Sequence, residues 1–104
     1  MAFAKTEEFD TEIVDMAEFA SALSHPARIA IITYLLDHPG ARCSSLVDFL
    51  PLSQPSCSRH LGELRKAKLV EAKSRGSEVH YFLKMERIKH FCDAFRTSLN
   101  PPSR

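Results

Sequence analysis

The stretch from Ser53 to Leu69, SQPSCSRHLGELRKAKL, constrains the fold most, because it predicts one helix with a strong start. Ser53 is a candidate N-cap, since its hydroxyl can accept a bond from an N–H of the first turn. Pro55 falls within that turn, where a missing N–H removes no intrahelical bond. Apolar side chains then recur at spacings typical of one helix face turned toward a core. This stripe consists of Cys57, Leu61 and Leu64.

The opposite face of the same helix is small and polar in its first half and basic in its second. Such a face suits a groove of DNA, because Ser, Gln and Arg side chains donate to base edges or phosphates and a helix N-terminus favours an anion. It also fits an ordinary amphipathic helix with a solvated basic face. His60 lies between the core side and the outer side. The predicted DNA contacts of this helix are Ser53, Gln54, Ser56, Ser58, Arg59, His60, Arg65 and Lys66.

The chain has 104 residues, which fits one domain, and its net charge of +1 hides an uneven distribution. Residues 1–22 carry six acids and one Lys, whereas residues 53–84 carry seven cations and three acids. A local excess of positive charge favours a polyanionic partner. The acidic N-terminal helix would repel DNA and should lie far from it.

The localisation that we expect is cytoplasmic, with no membrane contact. No apolar run approaches the roughly 18 residues of a membrane-spanning helix, and the N-terminus lacks the core of a signal peptide. The three cysteines have no CxxC spacing, so we expect no disulfide framework.

Three further helices are expected before the central one. The first runs from Glu7 to Leu23, and Pro26 breaks it. The second, Pro26 to Asp37, is apolar on most sides and should therefore be buried. The third is short, from Cys43 to Leu50, and Pro51 prevents its continuation. Together with the central helix it forms a helix-turn-helix over residues 43–69.

After Leu69 the apolar period changes to two, which predicts strands at 70–73 and 79–84 around a turn containing Gly76. This β-hairpin forms a "wing" over residues 70–84 whose tip carries Lys73 and Arg75, which we expect to contact DNA phosphate. A last helix follows from Glu86 to Leu99. The predicted fold is therefore a single domain, residues 1–104, mainly α with a small β-hairpin (α+β). It is a winged helix-turn-helix of order α-α-α-α-β-β-α.

Apolar seams at helical spacing run along the first and last helices. A chain this short buries a modest core, so pairing of two copies through these seams is a plausible source of stability. The dimerisation helices are predicted within residues 1–23 and 85–99. The predicted dimer-interface residues are Phe9, Ile13, Met16, Ala20, Ile88, Cys92, Phe95 and Leu99.

Several motifs occur in an order typical of one family. They are Leu23-Ser24-His25-Pro26-Ala27-Arg28, Leu52-Ser53-Gln54-Pro55, Ser58-Arg59-His60-Leu61, Leu64-Arg65-Lys66-Ala67-Lys68-Leu69-Val70, and Arg75-Gly76 followed by Val79-His80-Tyr81-Phe82-Leu83. From Phe19 to Leu83 the chain resembles the ArsR-type winged-helix repressors of bacteria and archaea. The resemblance implies a homodimer, paired through its first and last helices, that binds double-stranded operator DNA and releases it when an inducer, often a metal ion, binds.

The sensor sites of that family are incomplete here. The arsenic-type site of the family resembles a CxC pair, two cysteines separated by one residue. At this place the chain has Cys43-Ser44-Ser45, which supplies one thiol instead of two. The zinc-type site on the last helix is represented only by His90 and Asp93, which also fit an exposed i,i+3 pair. We therefore predict no metal site and no cofactor, and the inducer stays unidentified. Cys43 and Cys92 remain possible thiol sensors, although packing would explain each of them, and Cys57 is expected in the core.

The function that these patterns favour is a homodimeric, sequence-specific DNA-binding transcriptional regulator, expected to be a repressor. No nucleophile–base pair or phosphate-binding loop indicates an enzyme. One alternative is a winged-helix protein-interaction module without operator binding, which would need an apolar outer face on residues 54–66. That face is basic. A second alternative is a redox or metal sensor whose thiols control DNA binding.

Overall fold

A computed structural model describes residues 8–102. The described part contains five helices and one two-stranded antiparallel hairpin, which confirms the predicted class and element order. The elements are α1 (Thr11–Ala22), α2 (Pro26–Asp37), α3 (Cys43–Phe49), α4 (Gln54–Lys66), β1 (Val70–Arg75), β2 (Glu78–Leu83) and α5 (Met85–Leu99).

The break between α1 and α2 occurs where the sequence predicts it. Pro26 occupies the first helical position of α2, and the backbone N–H of Ala27 donates to Nδ1 of His25 at 3.4 Å. His25 is thus the N-cap of α2. The first helix starts at Thr11 rather than at Glu7, and Glu7 lies outside the described residues.

The start of α4 is also as predicted, because Ser53 Oγ accepts a bond from the backbone N–H of Ser56 at 3.2 Å. Its end is three residues earlier than expected, since Lys68 adopts a left-handed conformation with φ 63°. The N–H of Leu69 then donates to the carbonyl of Leu64 at 3.0 Å, and the N–H of Lys68 to that of Arg65 at 2.9 Å. These two bonds form a Schellman motif, which closes the helix and turns the chain into β1.

The hairpin pairs Val70 with Leu83 at one end and Arg75 with Glu78 at the other. Its strands are longer than predicted at the tip, because Gly76, with φ 64°, permits a turn of only two residues. A feature that the sequence does not reveal joins this wing to the loop after α2. Tyr81 exchanges backbone bonds of 2.9 Å with that loop, its N–H donating to Ala41 and its carbonyl accepting from Gly40.

The core lies between α1, α2, α4 and α5, with Leu46 of α3 and the start of β1 completing it. The prediction that α2 is buried on most sides is wrong. Ile31 and Leu35 are fully buried, but Ile29 is 44% exposed and Leu36 is 51% exposed. The physical reason is that α2 packs mainly against α4 and β2, so its remaining face has no cover within the described residues.

Candidate nucleic-acid interface

The recognition-helix candidate α4 has a sealed inner face. Cys57, Leu61 and Leu64 are at most 1% exposed, which confirms the predicted apolar stripe. On the outer side, Ser56 is half-buried and the other predicted DNA contacts, apart from His60, are exposed. These exposed residues are Ser53, Gln54, Ser58, Arg59, Arg65 and Lys66.

The cations of α4 differ in their surroundings. Arg59 Nη2 donates to Ser56 Oγ at 3.4 Å, so the guanidinium lies over the first two turns of the helix. Lys66 Nζ lies 3.3 Å from Glu63 Oε2, which partly neutralises it. Between residues 8 and 102, no carboxylate lies within ion-pair distance of Arg59 or Arg65. These two side chains therefore keep their full charge for an anion.

The wing presents two exposed cations on one side, because Lys73 and Arg75 are two residues apart on β1. Lys73 Nζ lies 5.0 Å from the centre of the Phe82 ring, a cation–π contact that holds its side chain over the hairpin. The base of this side of the wing is fixed by His80, which is half-buried. The His80 Nδ1 atom lies 2.8 Å from the carbonyl oxygen of Gly40 and so donates to it.

The outer face of α4 and the tip of the wing border the same cavity of about 440 Å³. Gln54 and Ser58 line it from the helix, and Ser77 and Val79 line it from the hairpin. The fold therefore brings the polar half of α4 and the wing to one side of the molecule.

The structure corrects the assignment of His60 as a DNA contact. Its side chain is only 6% exposed, and its Nδ1 accepts a bond from Arg28 Nε at 3.2 Å. Burial lowers the pKa of His60, and the nearby His25, Arg28 and Arg59 lower it further. The physical reason is position, since His60 lies at the edge of the apolar stripe, where the start of α2 covers it. His60 thus anchors α4 instead of facing a groove.

Arg28 connects three elements at this point. While its Nε binds His60 on α4, its Nη1 donates to the carbonyl of Ala22 at the end of α1 at 3.3 Å. The His25 and His60 rings lie 4.5 Å apart beside it. The sequence alone does not reveal this role, because Arg28 and His60 are 32 positions apart along the chain.

The predicted dimer residues separate into two groups. Met16 is 8% exposed and belongs to the chain's own core, where α1 meets α5 through Phe19 stacked on Phe91 at 4.6 Å. Ile88 and Phe95 are half-buried against that core. Met16 is therefore corrected to a core residue, because it faces inward with Phe19. The exposed group is Phe9, Ile13, Ala20, Cys92 and Leu99.

One exposed surface, formed by α1 and the residues just before it, is strongly apolar. Phe9 is 58% exposed and Ile13 is 55% exposed. Together with Val14 and Ala17 they line an open depression of about 390 Å³. A helix face with this composition in water is a candidate protein-interaction surface.

The sensor candidates are distributed over the fold. Cys57 is in the core as predicted, Cys43 is half-buried at the start of α3, and Cys92 is exposed on α5. His90 and Asp93 point to different partners, since His90 Nε2 lies 3.4 Å from Glu12 Oε2 and Asp93 Oδ1 accepts from Arg96 at 2.6 Å. Within residues 8–102, no group of three or more His, Cys, Asp or Glu side chains is arranged to hold a metal ion.

Over the same residues, no single helix has both the length and the apolar character to cross a membrane. The pair α1 and α2 would satisfy that condition only jointly, and the two are bent by 93° at their junction.

Comparison with known proteins identifies the family. A family model described as a helix-turn-helix domain matches residues 23–72. An uncharacterized HTH-type transcriptional regulator of Methanocaldococcus jannaschii is 32% identical over 73 residues, which are 70% of this chain and 82% of the relative. The HTH-type transcriptional repressor SmtB of Mycobacterium tuberculosis is 41% identical over 81 residues, which are 76% of this chain and 58% of SmtB.

The fold leads to the same family. An ArsR-like transcriptional regulator from Rhodococcus sp. RHA1 has a similar structure, with a TM-score of 0.74 and 26% identity over 85% of this chain and 82% of that one. Such proteins are DNA-binding regulators rather than enzymes. With its helix-turn-helix, its hairpin wing and these relatives, the chain belongs to the ArsR-type family of helix-turn-helix transcriptional regulators.

Proposed function

We propose that this protein is a homodimeric repressor that binds operator DNA in a sequence-specific manner. The observation that carries the proposal is the cavity that the polar face of α4 shares with the hairpin, because it shows that the first turns of α4 and the wing lie side by side. In this arrangement α4 enters the major groove, where its first turns reach base edges first. The wing cations Lys73 and Arg75 then bind phosphate.

Specific contacts fit this assignment. Gln54, Ser56, Ser58 and Arg59 lie in the first two turns of α4 and supply donors for base edges. Arg65 lies on the last turn of α4 and reaches the sugar–phosphate backbone, as does Ser53 at the N-terminus. Lys66 contributes less, because Glu63 already pairs with it.

The exposed apolar surfaces of α1 and α5 support the proposal that the protein is a homodimer. The exposed apolar face of α1 would pack against a second copy, together with the outer positions of α5, where Cys92 and Leu99 are exposed. Two copies related by a two-fold axis would place two α4 helices in successive major grooves. The operator would then be a palindrome with half-sites about one helical turn apart.

The parts of the chain divide the work. Residues 1–23 and 85–99 pair the two copies, residues 43–69 read DNA and residues 70–84 form the wing, within one domain. The regulator acts in the cytoplasm and leaves its operator in response to an inducer or a thiol or metal signal. The alternative of a protein-interaction module loses support from the outer face of α4, which is polar and basic rather than apolar.

Selection of DNA by the purified protein tests this function. A pool of duplexes with random centres is enriched over several rounds, and the bound sequences are read. We expect a palindromic consensus with two half-sites, bound far more tightly than a scrambled duplex of equal length. Retention of all duplexes alike, with no enriched sequence, would contradict operator recognition.

A further inference from the structure

Side chains, as well as the backbone bonds of Tyr81, join the hairpin to the loop after α2. The Nδ1 atom of His80 lies 2.8 Å from the carbonyl oxygen of Gly40, and its Nε2 atom lies 3.2 Å from Oε1 of Glu78. The second carboxylate oxygen of Glu78 accepts a bond of 3.1 Å from Arg42, the N-cap residue of α3. These contacts, from Gly40 through His80 and Glu78 to Arg42, form what we call the wing latch.

Both ring nitrogens of His80 face groups that accept hydrogen bonds. The carbonyl oxygen of Gly40 has no proton to donate, so Nδ1 carries the proton of that bond. An ionised carboxylate also has acceptors only, and the carboxylate of Glu78 is the partner of Nε2. Bonds to both groups at once therefore require a proton on each nitrogen, which makes the ring a positively charged imidazolium.

A neutral His80 ring cannot keep both contacts. With its single proton on Nδ1 it retains the bond to Gly40, but the lone pair of Nε2 then faces the negatively charged oxygen of Glu78. With the proton on Nε2, the lone pair of Nδ1 faces the Gly40 carbonyl instead. Either tautomer replaces one attraction by a repulsion, so loss of one proton opens the latch at one of its ends.

Charges of both signs surround this ring. On β1, Lys73 lies directly opposite His80, and Arg75 lies opposite Glu78. Both cations line a cavity of about 420 Å³ together with His80, and both disfavour a further positive charge there. Glu78 acts from closer range, because it contacts the ring, whereas the Lys73 ammonium lies over the Phe82 ring, 5.0 Å from its centre. The contact with Glu78 therefore favours the charged form.

Two further titratable groups lie nearby without joining the latch. Glu71 is on the same face of the hairpin, opposite Phe82 and one residue pair further from the tip than His80. His38 ends α2, where its Nδ1 atom lies 3.1 Å from the carbonyl oxygen of Tyr34 in the same helix. His38 therefore offers a matched control, a histidine of the same loop that has another partner.

We propose that His80 positions the wing as an imidazolium, so that the hairpin binds the loop after α2 more firmly as the pH falls. The side chain of His80 is 25% exposed, so protons reach it from solvent while most of the ring stays covered. Histidine is also the side chain that ordinarily changes its charge between about pH 5 and 8. The proton thus acts as a ligand that binds the latched wing better than the open one.

The consequence for DNA rests on the proposed function. A latched hairpin holds Lys73 and Arg75 in one place, so less freedom is lost when they bind phosphate. We expect the closed latch to raise operator affinity roughly threefold, which is the effect of a partly exposed ion pair.

Hydrogen exchange of the full-length protein tests the latch without DNA. The backbone N–H of Tyr81 donates to the carbonyl of Ala41 at 2.9 Å, so its protection reports how firmly the wing binds the loop. After correction for the intrinsic exchange rate, we expect this protection to be roughly threefold higher at about pH 5.5 than at about pH 8. The amides of α4 serve as the internal reference, because they report opening of the whole fold. Equal protection of Tyr81 at both pH values would overturn the proposal.

Glu78→Gln separates the imidazolium from a merely structural histidine. Its amide oxygen still accepts from Arg42, and its amide nitrogen donates to the lone pair of a neutral His80 ring. The latch then closes without a second proton, so the protection of Tyr81 should no longer depend on pH. His38→Gln, the matched control, should keep the pH response of the natural protein. A response that persists in Glu78→Gln would overturn the proposal.

Operator affinity at constant ionic strength extends the test. Glu78→Gln removes a negative charge and should raise affinity at every pH, so only the pH response is compared. Between about pH 8 and 5.5, the affinity of the natural protein should rise roughly threefold more than that of Glu78→Gln. An equal rise in both would mean that protonated His80 attracts phosphate directly, which would overturn the consequence for DNA.

The two experiments separate this inference from the proposed function. Protein that selects no DNA sequence would contradict operator recognition and leave a pH-dependent protection of Tyr81 standing. Protein that binds its selected operator but shows the same protection of Tyr81 at both pH values would overturn the latch alone.

Discussion

Helices α4 and α1 carry the same kind of apolar repeat and bury it differently. The stripe of α4 is complete within the chain, since Leu61 and Leu64 are at most 1% exposed. The seam of α1 is divided, because Met16 is 8% exposed and Ile13 is 55% exposed. The difference follows from their neighbours, which are α2, α3 and β1 around α4 but chiefly α5 beside α1. A repeat thus predicts that a face will be covered, not which molecule covers it.

Leu61→Ala tests the buried side of this comparison, the apolar stripe of α4. The substitution removes a fully buried side chain beneath the recognition-helix candidate. We expect the free energy of unfolding to fall by about 2–5 kcal/mol, measured by urea denaturation with the slope unchanged. Ser58→Ala on the exposed face of the same helix is the control and should change stability by less than about 0.5 kcal/mol. Similar losses from both variants would contradict the inner and outer assignment.

Ile13→Asp tests the exposed side of the comparison, the apolar face of α1. A charge placed on an apolar face is costly when that face becomes buried between two copies, and harmless when it stays in water. We therefore expect sedimentation to show dissociation into folded monomers, with a dimer affinity weaker by at least about tenfold. Thr11→Asp, an exposed polar position on the same helix, should leave the dimer intact. A dimer unaffected by Ile13→Asp would place the interface elsewhere.

The anchoring of α4 is expected to depend on pH through His60. Its folded-state pKa is below the ordinary value of 6.5, so the unfolded chain binds a proton more readily than the folded one. This contribution to stability is fully present above about pH 6.5 and is lost as the pH falls below it, with a slope of at most about 1.4 kcal/mol per pH unit for one proton. Urea denaturation at several pH values measures the slope.

His60→Asn keeps an acceptor for Arg28 and removes the titration. The variant should therefore lose stability less steeply between pH 7 and 5 than the natural protein, as should be visible in a series of denaturation curves. Identical slopes would show that the imidazole does not control acid stability.

The order of the helices and strands follows from local sequence signals, and those signals were sufficient to predict it. Ser53, Pro26 and Gly76 act on their immediate neighbours, so the element order and most boundaries could be predicted. The end of α4 could not, because Lys68 takes a left-handed conformation that is typical of Gly. Nothing in the local residues indicates that Lys68 adopts this conformation. It is stabilised by the burial of the next residue, Leu69.

Contacts between distant residues were beyond the sequence. The bond from Arg28 to His60 and the exposure of Leu36 both depend on how helices pack. Periodicity can predict which face of a helix is buried. A residue at the edge of an apolar stripe, however, is buried or exposed according to which neighbouring element packs against it. His60 is such a position, and for this reason its assignment to DNA was wrong.

The smallest of these effects is expected at the wing, where Arg75 is an exposed cation on β1. Arg75→Ala should weaken binding to every DNA sequence alike and reduce the log–log salt slope by roughly one. Binding isotherms at several salt concentrations measure both quantities. Lys89→Ala, an exposed cation on α5, serves as the control and should change neither. A changed sequence preference in Arg75→Ala would mean that the wing reads base pairs or groove shape instead of phosphate.

The central claim is that the outer face of α4 reads DNA while its inner face only anchors it, and Arg59 tests this most directly. The affinity of Arg59→Ala is measured on the selected operator and on versions with one symmetric base pair changed. If Arg59 contacts a guanine edge, the variant should lose about 1–3 kcal/mol on the operator and discriminate less at that base pair. Equal losses on every duplex would assign Arg59 to the backbone, and unchanged affinity on all of them would contradict the claim.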